Sequence, residues 1–383
     1  MAAESNTPQN DAARPDSRPS LSRVLVTGAG GSVGGELVGL LLNHGYAVRA
    51  TVRPGRPAPH PAHPALEVAV GDLTDAAFCD GLTHGCAFVV HTAAVIDVTL
   101  PREALEPINL TAVERLRRAA LRDGVARFVH LSSASTYAPS ARPLGEDSPQ
   151  LATSPYEATK LEAEQLFIGD DDGVPWTILR PSMIYGPRNR DLAAILPALP
   201  FLSRHFLKIG IGLAGGPSTN WVHARDVARA CLHVLEHPAA AGRIFNVADD
   251  CPKPFGAIFD DVWAACGDQP TVRIPLARWM RPLLYRFFTS TAVLAMLNRL
   301  IGGGWMRLAA AHGLGGELRP KVFRDIGLYA TADWIFDASR LAATGFRLEF
   351  PDPAAGWADT LQWYRSHGWV PGHQQAAPTQ YAA

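Results

Sequence analysis

Tyr156 and Lys160 stand four residues apart, directly after Ser154-Pro155, in a chain of 383 residues. Ser154 reads as a helix N-cap, Pro155 as the first helical residue and Glu157 as the capping partner three positions on. The phenol and the ammonium then fall on one helix face. A phenol with an ordinary pKa of about 10 is too weak a base to take a proton at neutral pH, and a lysine one turn away can stabilise the phenolate by its charge. Ser133 closes the apolar run Arg127-Phe128-Val129-His130-Leu131-Ser132-Ser133 and offers a hydroxyl that could hold a substrate oxygen beside that phenol. Together the three could move a proton on and off a carbonyl or alcohol oxygen, the step that accompanies hydride exchange at the adjoining carbon. The plain alternative is an amphipathic helix pair and an ordinary strand-end turn.

A second group of residues lies far upstream. Val24-Leu25-Val26 reads as a strand buried on both faces, and a helix pattern follows through Glu36 to Leu42. Between them runs Thr27-Gly28-Ala29-Gly30-Gly31-Ser32-Val33-Gly34. Such a turn lets a pyrophosphate sit against bare amides at a helix N-terminus, where the helix dipole favours negative charge and a Cβ would intrude. A glycine-rich turn without a ligand is the alternative, so the rest of the chain has to decide.

The elements that must hold these residues follow in a regular order. Ala47 to Arg53 reads as a second strand, Leu66 to Leu73 as a third, Ala87 to Ala94 as a fourth and Arg127 to Ser133 as a fifth, with a helix over Asn109 to Arg122. Pro175 to Arg180 makes a sixth strand and Arg243 to Val247 a return to the sheet. Strand, helix and strand at this spacing predict right-handed crossovers and a doubly wound parallel α/β sheet. At the second strand's end a dinucleotide-binding fold touches the adenosine ribose, where an acid suits NAD and an arginine suits the 2′-phosphate of NADP. Arg53 stands there with Arg56 nearby. NADP (NADPH) is therefore favoured, with NAD the other option and a solvated loop arginine the plain one.

With 47% hydrophobic and 19% charged residues the chain can bury a large core, and its length calls for a second, smaller unit. A net charge of −1 argues against a nucleic-acid surface. Five scattered cysteines without a CxxC suggest neither a disulfide framework nor a metal site, so metal ligands are expected to be none and the compartment reducing and cytoplasmic. Residues 1–20 read as a disordered leader and 371–383 as a flexible tail. The longest apolar stretch, Phe287 to Leu297, is flanked by Arg286 and Arg299 and falls short of the roughly 18 residues that cross a bilayer.

Taken together, Gly28, Gly31 and Gly34, Ser133, and Tyr156 with Lys160 resemble the extended short-chain dehydrogenase/reductase (NAD-dependent epimerase/dehydratase) family, from Arg23 to about Trp369. The resemblance implies a Rossmann dinucleotide-binding domain over 21–186, with 220–249 returning to it. A smaller, mostly helical substrate domain would take 187–219 and 250–370. It implies Ser133, Tyr156 and Lys160 as catalytic residues. The cofactor would lie on Gly28, Gly31, Ser32, Val33, Gly34 and Arg53, with Asp72 and Leu73 at the adenine and Ala93 and Ala94 beneath it. Pro181 and Ile184 would flank the nicotinamide, beside Tyr156 and Lys160. Asn109 matches a helix position often seen in the family. Nucleotide-sugar members typically carry Arg-Asp before the block that is Trp221-Val222-His223 here, whereas this chain reads Ser218-Thr219-Asn220. That departure, with the tail Trp334 to Arg340, looks more like the 3β-hydroxysteroid dehydrogenase and dihydroflavonol reductase branches. They imply an NAD(P)-dependent oxidoreductase acting on a secondary alcohol or ketone of a lipophilic small molecule. A nucleotide-sugar epimerase, dehydratase or reductase is the alternative, and a catalytically silent dinucleotide-binding regulator a third. Assembly as a homodimer stays open.

Pro270 to Asp325 is the least ordinary stretch. Nine basic residues against Glu317 and Asp325 alternate with Trp279, Leu283, Phe287, Met296, Trp305 and other large apolar side chains. The stretch is expected to wall an apolar substrate site, with Trp279 and Phe287 on that wall. Its outer side has two readings, a peripheral contact with the inner membrane face or a helical lid with a solvated basic edge.

Overall fold

The computed structural model describes residues 22–97, 100–140, 142–170, 173–190, 193–315, 317–322 and 331–372. The expected leader, the tail beyond Gly372, Arg324 and Asp325 lie outside the described residues.

The wholly buried run Val24-Leu25-Val26 forms β1 (Arg23–Thr27), and the glycine turn leads into α1 (Ser32–Asn43). The first half continues with β2 (Ala47–Val52), β3 (Leu66–Val70), α2 (Ala76–Leu82), β4 (Phe88–His91), α3 (Arg102–Glu106), α4 (Ala112–Arg122), β5 (Arg127–Leu131), α5 (Pro155–Gln165) and β6 (Trp176–Pro181). Then come β7 (Met183–Tyr185), α6 (Ile195–Leu202), β8 (Ile211–Ala214), β9 (Ser218–Thr219), β10 (Trp221–His223), α7 (Ala224–Glu236), β11 (Arg243–Val247), β12 (Lys253–Pro254), α8 (Phe255–Ala265) and β13 (Val272–Pro275). After these, α9 (Arg281–Thr289) and α10 (Thr291–Ala311) precede a last long helix, Pro353–Ser366.

Among the described residues the main sheet has the order β3-β2-β1-β4-β5-β6-β11, and every pairing in it is parallel. Parallel strands need helical crossovers, which cover both faces and account for strands that are apolar without alternation. Leu37 and Leu41 of α1 pack with Val227 and Val234 of α7 on one face, and Leu116 of α4 with Ala163 of α5 on the other. All strand C-termini lie on one edge, and the chain order reverses between β1 and β4, where such a sheet opens a crevice.

Three details differ from the sequence expectation. The helix expected from Asn109 begins earlier, as α3, and passes through a wide π turn at Pro107–Thr111 before α4. Pro107 has no amide to continue the α ladder. The wide turn carries buried Asn109, whose side chain accepts from the Val95 amide at 2.8 Å and donates to the Val95 carbonyl at 2.9 Å. The third and fourth strands also stop short, at Val70 and His91, so Asp72 and Ala93 sit in the loops at the sheet's C-terminal edge. Trp279 and Phe287, expected on the wall of the substrate site, are exposed, at 74% and 42%. The inward face of this region belongs instead to Leu294, Trp305 and Leu308 of α10, because α9 lies on the surface with none of its residues buried.

One buried ion pair fixes α5 to the sheet. Arg180 of β6 donates from Nε to Glu164 Oε1 at 2.9 Å and from Nη2 to Glu164 Oε2 at 2.6 Å, and both side chains are almost entirely out of water. The remaining Arg180 nitrogen donates to the Tyr137 hydroxyl at 2.9 Å, which donates to Asn246 Oδ1 of β11 at 2.7 Å. Removing one partner strands a charge: Arg180→Met should cost about 3–5 kcal/mol in urea unfolding, and adding Glu164→Leu should recover part of it. A single variant that unfolds like the wild type would deny the pair this role.

Candidate active site

The capping box read at Ser154 forms as the residue types require. The Ser154 hydroxyl accepts from the Glu157 amide at 3.3 Å, and Glu157 Oε2 accepts from the Ser154 amide at 3.0 Å. The helix so started puts Tyr156 and Lys160 one turn apart, both buried. The Tyr156 ring packs with Leu105, Val95 and Leu100. Lys160 Nζ donates to the Leu131 carbonyl at 2.6 Å, which ties the helix to the end of β5 two residues before Ser133. Ser133 is half-buried, and its hydroxyl accepts from the Ser135 amide at 3.2 Å and lies 2.9 Å from Ser135 Oγ. Ser135 was not singled out in the sequence, although its spacing from Ser133 is a usable signal. Glu164 was also missed, and it continues the Tyr156–Lys160 stripe by four residues.

Behind Lys160 two histidines lie stacked, with His91 and His130 ring centroids 5.7 Å apart. Both are wholly buried, and His91 Nδ1 shares a 2.8 Å hydrogen bond with Thr27 Oγ1. Burial first, and the Lys160 charge second, push His91 down to about 3 and His130 well below its ordinary value, so both are neutral. Burial also lowers Lys160, to about 8, against a smaller opposing pull from Glu164.

The glycine turn has its own geometric demands. Gly28 has φ +70°, and a Cβ there would lie 2.7 Å from the Ala93 amide nitrogen. A Cβ on Gly34 would lie 2.3 Å from the Gly28 carbonyl oxygen. These two glycines are needed by the backbone itself, and Gly28 presses β1's turn against the small residue Ala93. A Cβ at Gly30 would meet nothing within 4 Å, so the turn opens outward there. No side chain caps α1 at Gly31, so the amides of its first turn, including those of Ser32, Val33 and Gly34, have no capping side chain to receive them. An uncapped helix start under a bare turn suits a diphosphate. The Ser32 hydroxyl is committed elsewhere, donating to the Pro187 carbonyl at 2.6 Å, which leaves its amide as the group free to meet a ligand.

The other sequence-selected positions line the same edge. Arg53 is exposed just past β2, and Asp72 follows β3. Asp72 Oδ1 accepts from the Thr74 amide and hydroxyl, both at 2.8 Å, and these bonds hold its carboxyl below the usual range with help from Arg53. Leu73 is buried beneath it. Pro181 ends β6, and Ile184 sits in β7, paired with Val222 of β10. Asn220 is buried and bonds the Asp249 and Phe336 carbonyls and the Phe336 amide, a bracing role. Among the described residues no cluster of His, Cys, Asp and Glu is built to hold a metal, and all five cysteines are free.

The NAD dependent epimerase/dehydratase family model matches residues 24–248. The 3 beta-hydroxysteroid dehydrogenase/Delta 5→4-isomerase of Mycobacterium tuberculosis is 32% identical over 279 residues, 68% of this chain and 74% of that protein. The UDP-glucose 4-epimerase of Vibrio cholerae is 25% identical over 293 residues, 73% of this chain and 85% of that protein. Among solved structures, the Bordetella bronchiseptica enzyme WbmH in complex with NAD+ superposes with a TM-score of 0.67 at 21% identity, over 91% of this chain and 99% of that one, a likeness of fold.

The burial of Lys160 has a measurable sign. Its folded value of about 8 lies below the ordinary 10.5, so between these values the unfolded chain holds more protons and stability rises with pH. Relative to Lys160→Met, the ligand-free wild type should gain on the order of 3 kcal/mol as pH climbs through that window. Denaturant unfolding of both proteins from neutral to alkaline pH checks this, and a constant difference would mean that Lys160 is solvated.

Proposed function

This chain belongs to the NAD dependent epimerase/dehydratase family, an enzyme family using a nicotinamide dinucleotide, and we propose that it interconverts a secondary alcohol and a ketone on a lipophilic, sterol-like molecule. When bound, the nicotinamide gives or takes the hydride. The chain's own residues would manage the oxygen. In reduction Tyr156 delivers its hydroxyl proton to the substrate oxygen, and in oxidation the phenolate removes it, while Ser133 donates a hydrogen bond to the same oxygen. Lys160, one turn on, stabilises the phenolate by charge. Its bond to the Leu131 carbonyl keeps that charge in a fixed place.

One observation carries the lipophilic reading. Ala134, directly after Ser133, and Met183 belong to a single apolar cluster with Ala194, Leu196, Trp305 and Leu308, so the wall beyond the reacting position is greasy. The arginines on the adjoining loop are already engaged, Arg188 with Glu36 at 2.7 Å and Arg190 with Glu317 at 3.1 Å, which leaves them poorly placed to receive a sugar nucleotide's diphosphate. A nucleotide-sugar epimerase is the second reading, supported by the Vibrio cholerae relative. Purified protein should change the nicotinamide absorbance with 3-hydroxy or 3-keto sterols, and chromatography of UDP-sugars under the same conditions should find little conversion. Faster turnover of a UDP-sugar than of any lipid alcohol would overturn the substrate class.

Tyr156→Phe should keep dinucleotide binding and lose roughly two or more orders of magnitude in turnover. A variant with near-wild-type turnover removes Tyr156 from the chemistry.

Cofactor choice turns on Arg53, exposed at the end of β2 with no acid in its place. A guanidinium there suits the 2′-phosphate, so the wild type should prefer NADPH and Arg53→Asp should move the preference towards NADH. Side-by-side titrations decide it, and a wild type that already prefers NADH would refute the assignment.

A further inference from the structure

Of the eighteen large apolar side chains that stand exposed among the described residues, twelve fall between Phe206 and Met306. Six of the twelve lie on α9 and α10, and Trp279 stands in the turn just before α9. The two helices pack against each other, and α10 is amphipathic in an unusual sense. Its inner face buries Leu294, Trp305 and Leu308. Its outer side carries the exposed Met296, Leu300 and Met306, four and six residues apart, beside the exposed Arg299 and Arg307. Leu300 is 65% and Met306 74% exposed, and on the α9 side Leu283 is 63% and Trp279 74% exposed.

The charges on this face have one sign. Between Asp268 and Glu317 the chain has no acidic residue and six arginines. Arg273 pairs with Asp260. Arg278, Arg281, Arg286, Arg299 and Arg307 make no ion pair among the described residues, and all except half-buried Arg281 are exposed. A stripe of Leu, Met and Trp bordered by unpaired guanidinium groups matches the boundary of an anionic bilayer, with apolar side chains among the acyl chains and arginines at the phosphates. A second copy of this chain fits less well, because a two-fold contact would set arginine against arginine. No described helix is long and apolar enough to span a membrane.

We propose that the outer face of α9 and α10 docks on an anionic lipid surface, lying in the interface without crossing it. The inner face of α10 belongs to the same apolar cluster as Ala134 and Met183, so docking would put the bilayer one helix away from the proposed substrate wall. The inference does not depend on the substrate, because its test reads binding and not turnover.

The full chain should co-sediment with vesicles of phosphatidylglycerol and phosphatidylcholine at low salt and much less with phosphatidylcholine alone. Salt near 1 M, where the screening length is about 3 Å, should release most of it. Arg286→Glu with Arg299→Glu should weaken vesicle binding by at least about tenfold, and Met296→Ser with Leu300→Ser should also weaken it, while melting temperature and dinucleotide affinity stay unchanged. Absence of binding to anionic vesicles at low salt overturns the proposal. So does equal binding by wild type and both variants, or a face that proves to be covered in a dimer which the variants split.

Discussion

The contact between Glu164 and Arg180 is the constraint on which the candidate active site depends. Both groups are out of water and bonded through two parallel hydrogen bonds, so α5 cannot slide or rotate on β6 without leaving a charge unpaired. Tyr156 and Lys160 share the face of α5 that carries Glu164, four residues apart at each step. The same guanidinium holds Tyr137, and through it Asn246 of β11, so the last strand of the sheet is tied into the network. Geometry at the reacting position is thereby set by a pair that makes no contact with substrate in the proposed reaction.

A second constraint is dryness. Lys160 is buried above two stacked, neutral histidines, with the Leu131 carbonyl as its acceptor. Among the described residues the charged group acting on Lys160 is Glu164, itself engaged by Arg180. In such surroundings the field of a lysine ammonium acts on a neighbouring phenol more strongly than it would in water. The cost is a lysine whose own proton is held less tightly, down to about 8. In the proposed reaction, stability given up at Lys160 and its leverage on the Tyr156 phenol would have the same physical origin.

The chain's second half works differently. There α6, α8, α10 and the last long helix are held together by one apolar cluster reaching from Ala134 to Val370, while α7 packs on the main sheet. The α10 helix contributes one face to that cluster and leaves Met296, Leu300 and Met306, beside Arg299 and Arg307, outside.

The sequence positions of the seven main-sheet strands, the parallel sheet, the capping box and the shared face of Tyr156 and Lys160 could all be read from the residues. They depend on local periodicity and on side chains reaching their own backbone within a few positions. The glycine turn was equally legible, since Gly28 and Gly34 are demanded by the backbone around them. Other features were decided only by folding. Glu164 finds Arg180 sixteen residues away, and Ser32 finds Pro187 across the crevice, contacts that no local spacing announces. Trp279 and Phe287, expected to wall a pocket, turned outward. Which face of an apolar helix is buried depends on what the rest of the chain brings against it, and Leu294, Trp305 and Leu308 had already filled that place.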